Sequence, residues 1–434
     1  MTFKLNFHRI IIEAFFVVAI LYYFLRFQFN LDSEILFVYG SLQIVIVLFS
    51  TILILTKNKF THSKVSKIVF VFLVHSIFLS LLTSFKTLSV DAFLYSFKDY
   101  LFPVILFWCA SLFKIDLLKQ LKSLGLISFV VAIIYLTDFY LKIILKQDAL
   151  IYLSGIRNLT MDVTNSDSLS GTFIKGDLFD FIRFEGPLGH NSPTSILIAL
   201  GVFISYNLYQ HHKSGFQFGI LFVNSIALIL SANRTAIIAL IFIVATLRLL
   251  DGKIKMKKNS VLFRFLGIVS VLSFFGYFVE NPLFSVDSLF SGLSSILFNN
   301  EEIAIFAGNL WNPFSYIGTG FPCPYISKVD YIISFRSDDF FVLQLLNTYG
   351  IFSFFLFIAL IQTLIKTFKK KVNKDDFLYR VYFGIVFMLF FSTLHAGSLV
   401  RPQIYPILFF SLGALHAISV INLNVKGENS NITK

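Results

Sequence analysis

Apolar residues recur along the chain in long runs separated by short polar gaps, with few charges inside any run. The runs lie near residues 10–29, 35–55, 68–85, 92–113, 124–145, 192–209, 216–231, 235–250, 261–279, 339–365, 381–399 and 404–421. As helices, such runs reach across about 30 Å of hydrocarbon, which takes roughly 17–25 residues. Lipid offers backbone amides no partner outside their own helix, so a spanning segment of this kind must be helical. The pattern predicts an all-α, polytopic membrane helical bundle of about 12 transmembrane helices, forming a single integral membrane domain over residues 1–434. Two stretches break the rhythm: residues 146–191 and 280–338 are too polar to span and are predicted as large loops, with residues 422–434 as a C-terminal tail.

Composition strengthens this reading. Hydrophobic residues make up 56% of the chain and charged residues only 14%, against roughly 45–50% and about 25% in soluble domains. The abundant Phe is read as lipid-facing surface. Charge then orients the bundle, because cytoplasmic gaps retain Lys and Arg. Alternate gaps carry Lys57, Lys59, Lys64 and Lys67; Lys114, Lys119 and Lys122; Lys253, Lys255, Lys257 and Lys258; and Lys366, Lys369, Lys370, Lys371 and Lys374. The first run follows Lys4 and Arg9 without a small-x-small cleavage site and reads as a retained signal anchor. Both termini are then expected in the cytoplasm and both large loops outside. The net charge of +12 sits in tethers between spans rather than on a folded basic face with interleaved aromatics, which argues against nucleic acid as a partner. The two cysteines, Cys109 in a run and Cys323 in the second loop, make no disulfide framework or metal site.

Long segments without a structural reason are usually functional, so candidate chemistry is sought in the two loops. The first ends in Arg183-Phe184-Glu185-Gly186-Pro187-Leu188-Gly189-His190-Asn191-Ser192-Pro193-Thr194, where Ser192 and Pro193 suit a helix start. In the predicted topology every even-numbered span starts outside, and helix starts carry unpaired N–H groups and about half a positive charge. Arg183, Arg234, Arg336 and Arg401 fall near those starts. Cations are intrinsically unfavourable there, and a phosphate facing the guanidinium resolves the conflict through paired hydrogen bonds. Snorkelling to headgroups is the plainer alternative for Arg336 and Arg401, whereas Arg234, in a tight turn between two apolar runs, points to function. Glu185, His190, Asp338 and His395 are the candidate proton acceptors nearby, although Asp338 and Asp339 also suit simple complementation of a helix start.

Other polar residues read as structural. Asp138 and Lys142 are spaced as an ion pair on one helical face, Lys98 and Asp99 flank the start of span four, and His75, Asn224 and His416 suit interhelical hydrogen bonds. Glu13 has no evident partner in the sequence, and Asn158-Leu159-Thr160 matches a glycosylation sequon. No DxD, HExxH or P-loop pattern occurs, and the cytoplasmic gaps are too short for a nucleotide-binding domain. No cofactor and no metal ion is expected.

In its spans, its two outer loops and three local patterns, the chain resembles the O-antigen polymerase and O-antigen ligase superfamily. The patterns are Arg183-Phe184-Glu185-Gly186 with His190-Asn191-Ser192-Pro193; Ser231-Ala232-Asn233-Arg234-Thr235; and Gly318-Thr319-Gly320-Phe321 with Asp338-Asp339-Phe340-Phe341 and Leu346-Asn347-Thr348-Tyr349-Gly350-Ile351. They cover residues 183–360, while the first 140 residues contribute hydropathy alone. Ligases of this superfamily tend to carry a His-containing segment where this chain has Arg336-Ser337-Asp338-Asp339, which favours a Wzy-like polymerase. The resemblance implies a metal-independent membrane glycosyltransferase of the bacterial cytoplasmic membrane. It would join undecaprenyl-diphosphate-linked oligosaccharides, as donor and acceptor, into O-antigen, capsular or exopolysaccharide at the outer leaflet. Arg183 and Arg234 would bind the diphosphate with Arg336 and Arg401 in support; His190 or Glu185, then Asp338 or His395, would take the acceptor proton. Membrane lipid and a chain-length regulator are the further partners such an activity leaves room for. An O-antigen ligase, a cell-wall glycan polymerase and a lipid-linked oligosaccharide flippase stand as alternatives.

Overall fold

The computed structural model describes residues 7–57, 63–112, 115–141, 186–188, 191–231, 233–250, 313–318, 320, 341–370, 376–392 and 404–432. Every regular element among them is helical: α1 (Phe7–Ile20), α2 (Tyr22–Gln28), α3 (Asp32–Lys57), α4 (Lys64–Thr87), α5 (Val90–Ser96), a π-helical turn (Phe97–Leu101), α6 (Phe102–Leu112), α7 (Leu117–Phe139), α8 (Asn191–His212), α9 (Gly215–Leu230), α10 (Arg234–Leu250), α11 (Pro313–Ile317), α12 (Phe341–Phe368), α13 (Phe377–Ser392) and α14 (Tyr405–Ile432). Five of these, in α3, α4, α7, α8 and α12, are long and apolar enough to cross a membrane, and α1 with α2 forms a sixth if the bent pair is one span. Shorter apolar helices occur in α6, α9, α10, α13 and α14. This is the architecture of a multi-pass membrane protein. The run at 261–279 lies outside the described residues, as does most of both predicted loops.

Helix starts follow local chemistry. The Ser63 hydroxyl accepts from the Ser66 amide at α4, and Asp116 accepts from the Lys119 amide at α7. Asp376 accepts from the Tyr379 amide at α13. Each cap satisfies an N–H that the helix cannot. α8 begins at Asn191, with Ser192 and Pro193 in its first turn, within a residue of the start read from sequence.

Three predicted spans are not straight. α1 and α2 meet at 65°. The span expected at 92–113 is divided by the π turn, which holds Lys98 and Asp99 inside it rather than at its start. The span expected at 339–365 is interrupted at Gly350, whose φ of 74° and ψ of 173° lie outside helical space. At its far end α14 runs on to Ile432, through the residues expected as a tail.

Packing uses small residues to bring helices close. A Cβ on Gly413 of α14 would strike the Phe107 carbonyl of α6, and one on Gly384 of α13 would strike the Phe203 ring of α8. Between α7, α8 and α9, Gly201 faces Ser128 and Asn224. The Ser128 hydroxyl lies 2.9 Å from both the Leu197 carbonyl and Asn224 Oδ1, and Asn224 Nδ2 donates to the Ile220 carbonyl. Asn224 thus has the interhelical role expected of it. Glu13, for which the sequence suggested no partner, accepts from Arg9 Nε at 2.7 Å, one helical turn away. Cys109 is buried 2.8 Å from the Ser50 hydroxyl.

Phe serves two environments. Phe37, Phe70, Phe85, Phe218, Phe222 and Phe355 lie on the outside of the bundle, where an apolar surface this extensive suits lipid and not water. Phe15, Phe16, Phe102, Phe107 and Phe383 are buried in the core, so lipid contact accounts for only part of the abundance of this residue.

Candidate functional site

Contacts between helix termini sort the bundle into two ends. The Tyr382 hydroxyl donates to the Leu117 carbonyl at 3.0 Å, the His211 ring stacks on Phe377 at 4.2 Å, and Phe368 packs on Phe383 at 4.2 Å. These join the start of α7, the end of α8, the end of α12 and the start of α13. Lys119, Lys122, His211, His212, Lys213, Lys366, Lys369, Lys370 and Arg380 all belong to these termini, making this end strongly basic. The opposite end holds the start of α8, the break in α12 and the start of α14. It also holds the end of α9 and the start of α10, because α8 and α9 form a hairpin through Lys213. The described residues of the three sequence patterns named above fall at this second end.

In the first pattern, the described turn Gly186-Pro187-Leu188 folds back on α8. Gly186 has a φ of 69°, and a Cβ there would come within 2.8 Å of Thr194 Oγ1, so glycine meets both a backbone and a space requirement. Leu188 is buried, anchoring the chain just ahead of the helix.

In the second, the Ser231 hydroxyl donates to the Leu228 carbonyl at 2.7 Å and accepts from the Asn233 amide at 3.4 Å. Asn233 Oδ1 then accepts from the Ala236 amide at 3.0 Å, and the Asn233 carbonyl from the Ile237 amide at 3.2 Å. Asn233 is therefore the N-cap of α10, and Arg234 is its first residue. This is where the sequence placed Arg234, at the positive end of a helix.

The third pattern is drawn together by the helix break. Gly318 and Tyr316 present their backbones to Gly350 so closely that a Cβ on Gly350 would collide with both. Gly320 lies over α4, where a Cβ would come within 2.6 Å of Thr83 Oγ1. His75 Nε2 lies 2.9 Å from the Tyr349 carbonyl, and its ring also faces the Ile317 carbonyl. The Tyr349 hydroxyl pairs with the Tyr405 hydroxyl at 3.0 Å, both side chains being buried. Gly318 and Gly350, some thirty residues apart in the chain, thus come into contact, and Gly320 packs against α4 beside them.

Of the residues assigned chemistry from sequence, Arg234 is described in its backbone placement alone. Arg183, Glu185, His190, Arg336, Asp338, His395 and Arg401 lie outside the described residues, as do Lys142 and Cys323. From the sequence Tyr349 figured only as a member of the third pattern, and Tyr405 and the break itself went unseen. A glycine within a long apolar run, next to tyrosine, was the available signal. His75 was expected to bond between helices, and does; that its partner is a carbonyl at a break was not legible. No protein-family model matches this chain, and no curated protein matches it.

Proposed function

We propose that this protein polymerises lipid-linked oligosaccharide repeat units, carried on undecaprenyl diphosphate, at the outer leaflet of the bacterial cytoplasmic membrane. In this reading it spans the membrane about twelve times, with the basic end and both termini in the cytoplasm. The observation that carries the proposal is the Asn233-capped start of α10, which sets Arg234 as first helical residue at the end of the bundle opposite the lysines. A cation at a positive helix start is costly unless an anion joins it, and a diphosphate supplies one.

The reaction breaks the bond between the anomeric carbon of the donor glycan and its diphosphate oxygen. It forms a bond from that carbon to a hydroxyl oxygen at the non-reducing end of the acceptor. The hydroxyl proton passes to a base, for which His190 and Glu185 are the first candidates and Asp338 and His395 the second. Undecaprenyl diphosphate leaves with the bonding electron pair. Arg183 and Arg234, supported by Arg336 and Arg401, would stabilise the charge developing on it, as preorganised donors do in closed sites. Alanine variants of Arg183 and Arg234, present at parental levels, should abolish long polymer on a polysaccharide gel; unchanged polymer would refute the assignment.

The broken α12 favours a second reading. Interrupted membrane helices recur where transporters hold substrate, so a flippase for lipid-linked glycan also suits the Gly350 break. Loss of a polymerase leaves single repeat units outside, whereas loss of a flippase leaves intermediates inside. Transfer of the glycan to a different acceptor, the ligase reaction, would use the same leaving-group chemistry.

A further inference from the structure

We infer that Tyr349 is a positioning residue: it clamps the broken α12 to α4 and α14, and so sets where the two helix starts that follow Asp338–Asp339 and Arg401 are held. Three fastenings converge on this one side chain and its peptide. Its ring stacks on Phe72 of α4 at 5.3 Å with planes 25° apart. Its carbonyl, next to the non-helical Gly350, lies 2.9 Å from His75 Nε2 of α4. Its hydroxyl meets that of Tyr405, the first residue of α14, at 3.0 Å. Phe72 extends the joint, contacting Phe357 beyond the break at 5.2 Å and Phe409 of α14 at 5.8 Å.

The polar part of the clamp does more than packing requires. Phenylalanine at both tyrosine positions would preserve every ring contact and remove two buried hydroxyls. A polar pair in an apolar interior costs desolvation unless it is hydrogen-bonded, and here the two hydroxyls share a hydrogen bond. Directionality is what the pair adds. Apolar contacts tolerate a shift along a helix, whereas a hydroxyl pair together with an imidazole–carbonyl bond fixes both register and rotation of the break.

The break is also where the chain returns from the second polar stretch. Tyr316 and Gly318 sit against Gly350, and the His75 ring faces Ile317 as well as Tyr349. One histidine therefore touches both the returning segment and the interrupted helix. Loosening the clamp should shift α11, the N-terminal part of α12 and the start of α14 together, while leaving the α7–α8–α9 and α8–α13 contacts alone.

The effect on chemistry rests on the polymerase reading above; the clamp itself does not. The test accordingly has two arms, run on full-length protein in nanodiscs and on cells carrying the same variants at equal membrane levels. In the first arm, hydrogen exchange is followed by mass spectrometry over the peptide containing residues 351–357. Tyr349→Phe, Tyr405→Phe and His75→Leu should each raise exchange there and leave α8 and α13 unchanged. His75→Gln, whose amide can still donate to the Tyr349 carbonyl, should restore protection. The double variant Tyr349→Phe/Tyr405→Phe should match either single one, because the two hydroxyls act through each other. In the second arm, each single phenylalanine variant should lower polymer synthesis by about five- to tenfold, the effect of one lost buried hydrogen bond. Parental exchange in His75→Leu and both Phe variants overturns the clamp whatever the polymer does. Raised exchange with parental polymer synthesis overturns the positioning role. A parental strain whose product does not depend on this protein refutes the polymerase reading and leaves the exchange arm to decide the clamp.

Discussion

Replacing Gly201 by Ala tests the claim that α7, α8 and α9 are locked by a close approach rather than by general apolar packing. Two opposed effects meet at this position. In a helix interior Ala is favoured over Gly by roughly 1 kcal/mol. Against that, the added methyl would collide with the Ser128 hydroxyl and lie 2.7 Å from Asn224 Oδ1. Neither group can retreat without weakening the 2.9 Å contact between them. Overpacking of a filled interior costs about 1–3 kcal/mol, and interhelical hydrogen bonds within membranes contribute about 0.6 kcal/mol on average and up to roughly 1.7. The sum is a net loss of about 1–4 kcal/mol, the clash outweighing propensity. Gly40 and Gly219 are internal controls, since a Cβ on either meets nothing within 4 Å. Gly40→Ala and Gly219→Ala should be neutral or slightly stabilising. The buried Cys109 thiol supplies the assay: in a Cys323→Ser background its reaction with a fluorogenic maleimide during heating reports opening of the bundle. Gly201→Ala should unfold at a lower temperature than the parent, with part of the loss recovered in Ser128→Ala/Gly201→Ala. If Gly201→Ala is as stable as the two controls, the tight α7–α8–α9 junction is wrong.

Gly350→Ala should destabilise by about 1–3 kcal/mol from backbone conformation alone, and the collision with Tyr316 and Gly318 adds to it, because both obstructing groups are backbone; an unchanged thermal midpoint would refute the break. Arg234→Ala should lower the rate of polymer formation by about 10²–10³, the typical effect of removing one preorganised donor, as read from gel chain-length profiles with substrate in excess. Asn233→Ala should cost about 1 kcal/mol through loss of the α10 cap, measured as a fall in the same maleimide midpoint, with Asn233→Ser near parental. In the same Cys323→Ser background, cysteines introduced singly at Ser154 and Ser288 should react with a membrane-impermeant maleimide from outside intact spheroplasts, whereas one at Lys213 should not; the reverse pattern would invert the proposed orientation.

Much of the bundle was readable in advance because lipid removes alternatives: an apolar run of spanning length has to be helix, and Ser192 and Pro193 do fall in the first turn of α8; the caps at Asp116 and Asn233 came only with the structure. The alternation of basic and non-basic gaps was readable too, and the end-to-end contacts among α7, α8, α12 and α13 place the corresponding lysines at one end. What escaped notice were the interruptions. The run at 339–365 has the hydropathy of an unbroken span, yet α12 turns aside at Gly350 because a peptide bond from α11 occupies the space beside it. Likewise Glu13 looked unpartnered until α1 placed Arg9 one turn before it.

Hydrophobic length and charge placement, both properties of the one-dimensional chain, were enough for a helical, membrane-embedded protein and for a start of helix at Arg234. Which segments lie beside one another was not encoded in any local stretch. The meeting of His75, Tyr349 and Tyr405, separated by 274 and 56 residues, follows from how whole helices fill space against each other. Periodicity reports which face of a helix is apolar but carries no information about the neighbour that face will find, because apolar attraction is non-directional. The close approaches at Gly201, Gly350, Gly384 and Gly413 and the few interior hydrogen bonds select one packing from the many that the same hydropathy allows.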